Sequence, residues 1–130
     1  MTVVADTSVL LDFFDGKIQD PWSLIYPFRI IRISPVALHE VLRAYPSELQ
    51  GPLFQQLDEE LLPIPSLRHW VECAKILQVL YSRRKELNIA RMQNDILIAL
   101  MAKDIKAPIW SRDSDFERIT NHLGLDLIHT

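Results

Sequence analysis

Five acidic side chains, Asp6, Glu40, Asp95, Asp113 and Asp115, stand where carboxylates could do chemistry together in this 130-residue chain. Asp6 closes the apolar run Val3 to Ala5, and Glu40 falls among Val36, Ala37, Leu38, Val41 and Leu42 rather than on an evidently polar face. Asp95 precedes the apolar run Ile96 to Ala102, while Asp113 and Asp115 follow Ala107 to Trp110 within "SRDSDFER". Carboxylates that converge repel one another and rise in pKa unless a cation lies between them. With a single cysteine and no closely spaced histidines, an oxygen-only ligand set favours a hard divalent ion such as Mg²⁺ or Mn²⁺. Each acid also has a plainer reading. Asp6 and Asp95 suit helix N-caps, Glu40 a solvated helix position, and Asp113 with Asp115 a cap and a first-turn acid that complement the helix dipole.

The elements that must position these groups can be read from the pattern. Val3 to Ala5 is a β-rich run, and Asp6, Thr7 and Ser8 then precede "VLLDFF", which stops at Asp15 and Gly16: strand, capped helix, glycine stop. Arg29 to Ile33 reads as a second strand, followed by Ser34 as N-cap and Pro35 at the first helical position. A shorter helix is expected from Gly51 to Glu60, and "LLPIP" (Leu61 to Pro65) suits an edge strand or strap, since proline is excluded from central strands. From Ser66, Leu67, Trp70, Val71, Ala74, Leu77 and Tyr81 recur at helical spacing, with "RRKE" (Arg83 to Glu86) as the solvated end. "NDILIALMAKD" predicts a helix buried on several sides and opened by Asp95; "PIW" and "DLI" (Asp126 to Ile128) are the last strands, with a helix from Ser114 to Leu123 between them. Strands alternating with helices predict one α/β domain with a mainly parallel sheet, whose strand carboxyl ends share one edge. Ligands bind at that edge in such sheets.

Bulk properties narrow the class. The chain is 48% hydrophobic and 24% charged, without repeats, as expected of a folded domain. Its one cysteine, Cys73, excludes a disulfide framework and reads as inert core. The start lacks the basic head and cleavage site of a signal peptide, and the longest apolar run, Ile96 to Ala102, is far short of the roughly 20 residues that span a bilayer. A cytoplasmic protein with no membrane partner is the expectation. Net charge of -3 argues against broad adhesion to nucleic acid through a basic surface, although clustered metal-binding carboxylates would themselves lower the pI.

"VVADTSVLLDFF" resembles the opening motif of PIN domains, a strand that delivers an aspartate followed by Thr-Ser and an apolar helix. "ISPVALHEVLRA" resembles their second motif with its acid at Glu40, and "NDILIALMAKDIKAPIWSRDSDFERI" the third and fourth, with Asp95 heading a helix and a Ser/Thr-x-Asp-x-Asp-Phe signature at Ser111, Asp113, Asp115 and Phe116. The similarity runs from residue 3 to about 119, in the family's order, and the size suits VapC toxins of toxin-antitoxin pairs. Trp110, bulkier than expected at the end of the fourth strand, and the polar "RMQND" depart from the pattern without removing a ligand.

The resemblance implies a three-layer α/β/α PIN-like domain over residues 1–130, with a central sheet of four to five strands, and a metal-dependent endoribonuclease. Asp6, Glu40, Asp95 and Asp113 would hold Mg²⁺ or Mn²⁺, with Asp115 as an auxiliary ligand; the metal would activate a water for in-line attack on a phosphodiester. Thr7 and Ser111 could hold ligand carboxylates through their hydroxyls, or serve as turn and cap residues. Arg112, Arg43 and Arg91 are candidate RNA contacts, extended by Arg83 and Arg84; Trp110 could stack a base or belong to the core. His39 tempts a general-base reading that a metal-activated water would make unnecessary, and His69, His122 and His129 share no spacing that suggests a metal site. A homodimer is implied, as is an antitoxin seated in an apolar groove lined by Phe13, Phe14, Trp22, Leu24, Ile25 and Tyr26, with Phe28 nearby. The alternatives are a catalytically silent PIN-like module that binds RNA or protein, and another Mg²⁺-dependent α/β phosphoryl-transfer enzyme. A haloacid-dehalogenase-like phosphatase wants Asp-x-Asp after its first strand, where this chain has Asp6-Thr7-Ser8.

Overall fold

The computed structural model describes residues 1–81 and 89–130. The solvated helix end "RRKE", and with it Arg83 and Arg84, lies outside them. Four strands, β1 (Thr2–Ala5), β2 (Ile30–Ile33), β3 (Ile109–Ser111) and β4 (Leu127–His129), form one sheet in the order β2-β1-β3-β4. Every pairing is parallel: Val3 stands opposite Ile31, Ala5 opposite Trp110 and Trp110 opposite Ile128. Leu61 to Pro65, expected as an edge strand or strap, is a strap. Leu61 makes a single bridge to Ile33, and Leu62 donates its N–H to the Ile33 carbonyl at 2.8 Å before Pro63 and Pro65 end the pairing.

The strand order sets where a ligand could enter. From β1 the chain crosses to β2 on one side, and later returns to β3 on the other, so the direction of winding reverses between β1 and β3. Connections leaving adjacent strand ends there part company and open a crevice at the carboxyl edge. Asp6 follows β1 and Asp113 follows β3, so both flank it.

Among the described residues, seven helices flank the sheet in a three-layer arrangement. In α1 (Thr7–Phe14), Asp6 is the N-cap and accepts the Val9 N–H; Asp15 caps the far end, and Gly16 takes the left-handed φ of 78° that lets the chain turn away. Helix α3 (Pro35–Arg43) begins as its sequence suggests, with the Ser34 hydroxyl accepting from Val36 N–H and proline at the first position. Helix α5 (Leu67–Tyr81) buries Cys73 and Ile76, and α7 (Phe116–Leu123) buries Phe116 and Ile119. Helix α6 (Ile89–Asp104) packs along α5 and α7 and touches α3. Its run Ile96 to Ala102 is buried on every side, as is Trp110 between β1 and β4.

Several boundaries differ from expectation. Helix α6 starts at Ile89, so Asp95 lies inside its second turn and does not open it. The residues Arg91, Met92 and Gln93 favour helix as strongly as the apolar run does, and the apolar pattern merely begins later than the helix. Helix α4 occupies Ser47–Leu57 with Pro52 inside, followed by a 3-10 turn at Asp58–Glu60, because Glu48 and its neighbours form a first turn ahead of the Gly51-Pro52 pair. A four-residue helix α2 (Pro21–Leu24), capped by Asp20, has no counterpart in the sequence reading. Strand β4 is displaced by one residue, and α7 begins two residues late because Asp113 turns the backbone before it. Among the described residues no helix is long and apolar enough to cross a membrane.

Candidate active site

Asp6 is buried at 3% exposure, with both carboxylate oxygens engaged. Its Oδ1 accepts from Val9 N–H at 3.1 Å and from the Ser8 hydroxyl at 2.7 Å; its Oδ2 accepts from the Ser111 hydroxyl at 2.6 Å. Capping and a place in the site are therefore one geometry. Burial pushes the Asp6 carboxyl above the usual carboxylate range, an effect that the Ser111, Ser8 and Val9 donors oppose and the Asp113 charge reinforces.

Ser8 and Ser111 stitch the two strand ends together. The fully buried Ser111 hydroxyl also accepts from Asp113 N–H at 2.9 Å, and the Ser8 hydroxyl accepts from Arg112 N–H at 3.1 Å. Sequence reasoning missed Ser8. The available signal was its place two residues after Asp6, where a side chain in a helical first turn can reach back to the cap.

Glu40 comes from the second turn of α3 and is half-buried; its Oε1 accepts from the Thr7 hydroxyl at 2.8 Å. Thr7 and Ser111 thus each hold a carboxylate. Asp95 is different, because no described residue donates a hydrogen bond to it. Burial first, then the negative charges of Asp6 and Glu40, push its carboxyl up to about 8; Arg91 opposes this and Asp113 adds to it. Four carboxylates from β1, α3, α6 and the β3–α7 turn therefore sense one another across one crevice.

Asp113 accepts Asp115 N–H at 2.9 Å on Oδ1 and the Arg91 guanidinium on Oδ2. Asp115 is exposed, and its link to the site runs through Arg91, 3.8 Å away. It sits at the N-cap of α7 but makes no side-chain cap bond; the Asp113 carboxylate holds that turn instead. Arg112, the arginine adjacent in sequence, is turned to Asp12 of α1, with Nε 2.7 Å from Oδ2. Asp12 was not anticipated; it lies one turn beyond Ser8. Arg43 is exposed in the last turn of α3, and no ion pair joins it to the acidic group among the described residues.

Oxygen donors without sulfur or imidazole suit a hard divalent ion, and the raised Asp95 carboxyl is what unscreened anions in a shared crevice produce. Arg91 already stands against Asp113 and Asp115 as a cation. Among the described residues, no three His, Cys, Asp or Glu side chains close around a single point. Asp6, Glu40 and Asp113 are each turned onto a local donor.

Elsewhere the expectations divide. Trp110 is 1% exposed and donates Nε1–H to the Thr130 hydroxyl at 3.1 Å, so it is core and presents no face to a base. Burial pushes the Cys73 thiol up to about 11, consistent with inert core. An apolar groove of about 600 Å³ opens against the ends of β1 and β3; Phe13 and Trp22 line it, together with Val9, Leu10, Ile30 and Leu57. Ile25, expected in that groove, is buried in the core at 1% exposure because the turn after α2 points it inward. Phe14 instead stacks edge-on against Tyr45, and Tyr26 lies under Arg29.

Comparison with known proteins agrees with this architecture. The chain is similar to VapBC-1 from nontypeable Haemophilus influenzae (TM-score 0.67, 18% identity, covering 99% of this chain and 98% of that one). It is also similar to VapBC-5, a member of the VapBC family of toxin-antitoxin systems, from Mycobacterium tuberculosis (0.58, 21%, 99% and 98%), and to FitAcB from Neisseria gonorrhoeae (0.56, 11%, 98% and 96%). No curated protein matches it in sequence. The family model for the PIN domain matches residues 3–121, almost the whole chain and every acid of the site, and the protein belongs to the PIN domain family.

Proposed function

We propose that this protein is a metal-dependent endoribonuclease and the toxin of a toxin-antitoxin pair. The observation that carries the reading is that Asp6, Glu40 and Asp113, from three separate elements beside the ends of β1 and β3, act on Asp95 from a fourth and together with burial raise it to about 8. Within the enzyme, Ser8 and Ser111 fix the rotamer of Asp6, and Thr7 fixes that of Glu40. Hydroxyls that orient ligand carboxylates keep them acceptors toward the crevice and limit their motion. These four residues would hold Mg²⁺ or Mn²⁺, with Asp115 as an outer carboxylate linked to the site through Arg91. The chemistry such an ion supplies is a lowered water pKa at neutral pH and charge neutralisation at the phosphodiester oxygens. No protein nucleophile is required.

The groove beside the strand ends supports an antitoxin partner. Its lining of Val9, Leu10, Phe13, Trp22 and Ile30 suits the apolar face of a short helix or tail, and the similar solved structures include members of toxin-antitoxin systems. We also infer a homodimer, from family resemblance.

The test is cleavage of total RNA by the wild type, Asp6→Asn and Asp95→Asn, each with Mg²⁺ or with chelator. Cleavage should require the metal and be lost in both variants. Undiminished cleavage in either variant would sink the assignment.

A further inference from the structure

The guanidinium of Arg91 occupies an unusual position for a residue expected only to track RNA. It reaches across from the first turn of α6 to Asp113 Oδ2 and lies 3.8 Å from Asp115 Oδ2. Asp113 has its other oxygen on the Asp115 N–H, so each of its two oxygens already faces a donor. A divalent ion held by these acids would draw on Asp113, and Arg91 stands against one of its two oxygens.

Resting on the metal-nuclease reading, we infer that Arg91 competes with the divalent ion for Asp113 and, once displaced, becomes a positioning residue that takes a phosphate of the RNA. Its side chain is 55% exposed, against 25% for Asp113, so it lies at the surface of the site and not in the core. Arg112 is turned away from the acidic group, with its Nε 2.7 Å from Asp12 of α1. Arginine suits successive anionic partners: it stays charged throughout, and its planar fork fits carboxylate and phosphate alike. Its charge is also favourable in the metal-free state, since Asp95, Asp113 and Asp115 all act on it. The same cation that limits repulsion without metal would then screen the substrate when metal is present.

The experiment titrates Mn²⁺ into wild type, Arg91→Gln, Arg91→Lys and Asp95→Asn, following binding by calorimetry, and then measures RNA cleavage at saturating Mn²⁺. Removing a partly exposed competitor should tighten Mn²⁺ binding in Arg91→Gln by about five- to tenfold. At saturating metal the same variant should raise KM by a similar factor, with kcat little changed. Arg91→Lys, which keeps the charge but loses the fork, should fall between. Unchanged or weaker Mn²⁺ binding in Arg91→Gln, or an unchanged KM, would overturn the inference. If instead wild type and Asp95→Asn alike bind no Mn²⁺, the metal-nuclease reading itself has failed, whatever Arg91 does.

Discussion

Asp95 offers the sharpest test of the site, because its environment makes a signed prediction about stability. Its carboxyl is raised from an ordinary 3.8 to about 8, chiefly by burial and by Asp6 and Glu40. Between those values the folded protein keeps a proton that the unfolded chain releases, so metal-free stability should fall as pH rises from about 4 to about 8. At about 1.4 kcal/mol per tenfold change in proton affinity, the full span is on the order of 6 kcal/mol. In a domain of this size that corresponds to a Tm difference of roughly 15 °C. Asp95→Asn removes the titrating group while keeping its shape. In chelator, wild type and variant should therefore melt together near pH 4, and the variant should be the more stable by several kcal/mol at pH 8.5. Adding Mg²⁺ or Mn²⁺ at pH 8 should raise the wild-type Tm by linkage and leave the variant nearly unmoved. Circular dichroism melts across pH 4 to 8.5, with and without metal, would read both effects. Parallel pH curves for the two proteins would refute the electrostatic account, and an equal metal response in both would remove Asp95 from the ligand set.

Ser111→Ala should cost about 2 kcal/mol in thermal or denaturant unfolding, because it leaves the buried Asp6 Oδ2 and the Asp113 N–H without their shared hydroxyl. Cleavage of RNA should fall as well; a variant as stable and as active as wild type would show that the hydroxyl does not hold the site. Trp110→Phe should destabilise by about 1–3 kcal/mol, through lost packing and the lost bond to Thr130, while KM for RNA stays unchanged. Weaker RNA binding at unchanged Tm would instead return Trp110 to the substrate surface.

The acids legible from sequence were those marked by strand ends. Asp6, Asp113 and the Ser34-Pro35 start that carries Glu40 follow directly from short apolar runs, and a parallel sheet then sends them to one edge. Partners separated along the chain were not legible. Arg112 is next to Asp113 in sequence, yet β3 and the following turn aim it at Asp12, while Arg91 reaches Asp113 from another helix. Sequence adjacency carries no information about side-chain direction past a strand end. Ile25 failed for a related reason: a short apolar stretch around Trp22 and Tyr26 does not say which residue the turn after α2 will bury.

The displaced start of α6 has a functional consequence. Had Asp95 headed the helix, its carboxylate would have met unpaired backbone N–H groups and the positive end of the dipole, as Asp6 does at α1. Those donors offset burial, and for Asp6 the Val9 N–H and two hydroxyls supply that offset. In its second turn, Asp95 has every nearby backbone N–H committed to the helix ladder and receives no side-chain donor from a described residue. The repulsion among the four carboxylates therefore concentrates on Asp95, where a retained proton or a bound cation relieves it. Arg91 lies one helical turn earlier on the same helix and lowers the Asp95 pKa, while among the described residues its ion pairs run to Asp113 and Asp115. A divalent ion that took Asp113 from Arg91 would thus bring its charge to the carboxylate least compensated by the fold, so metal affinity should depend more steeply on Asp95 than on the well-bonded Asp6.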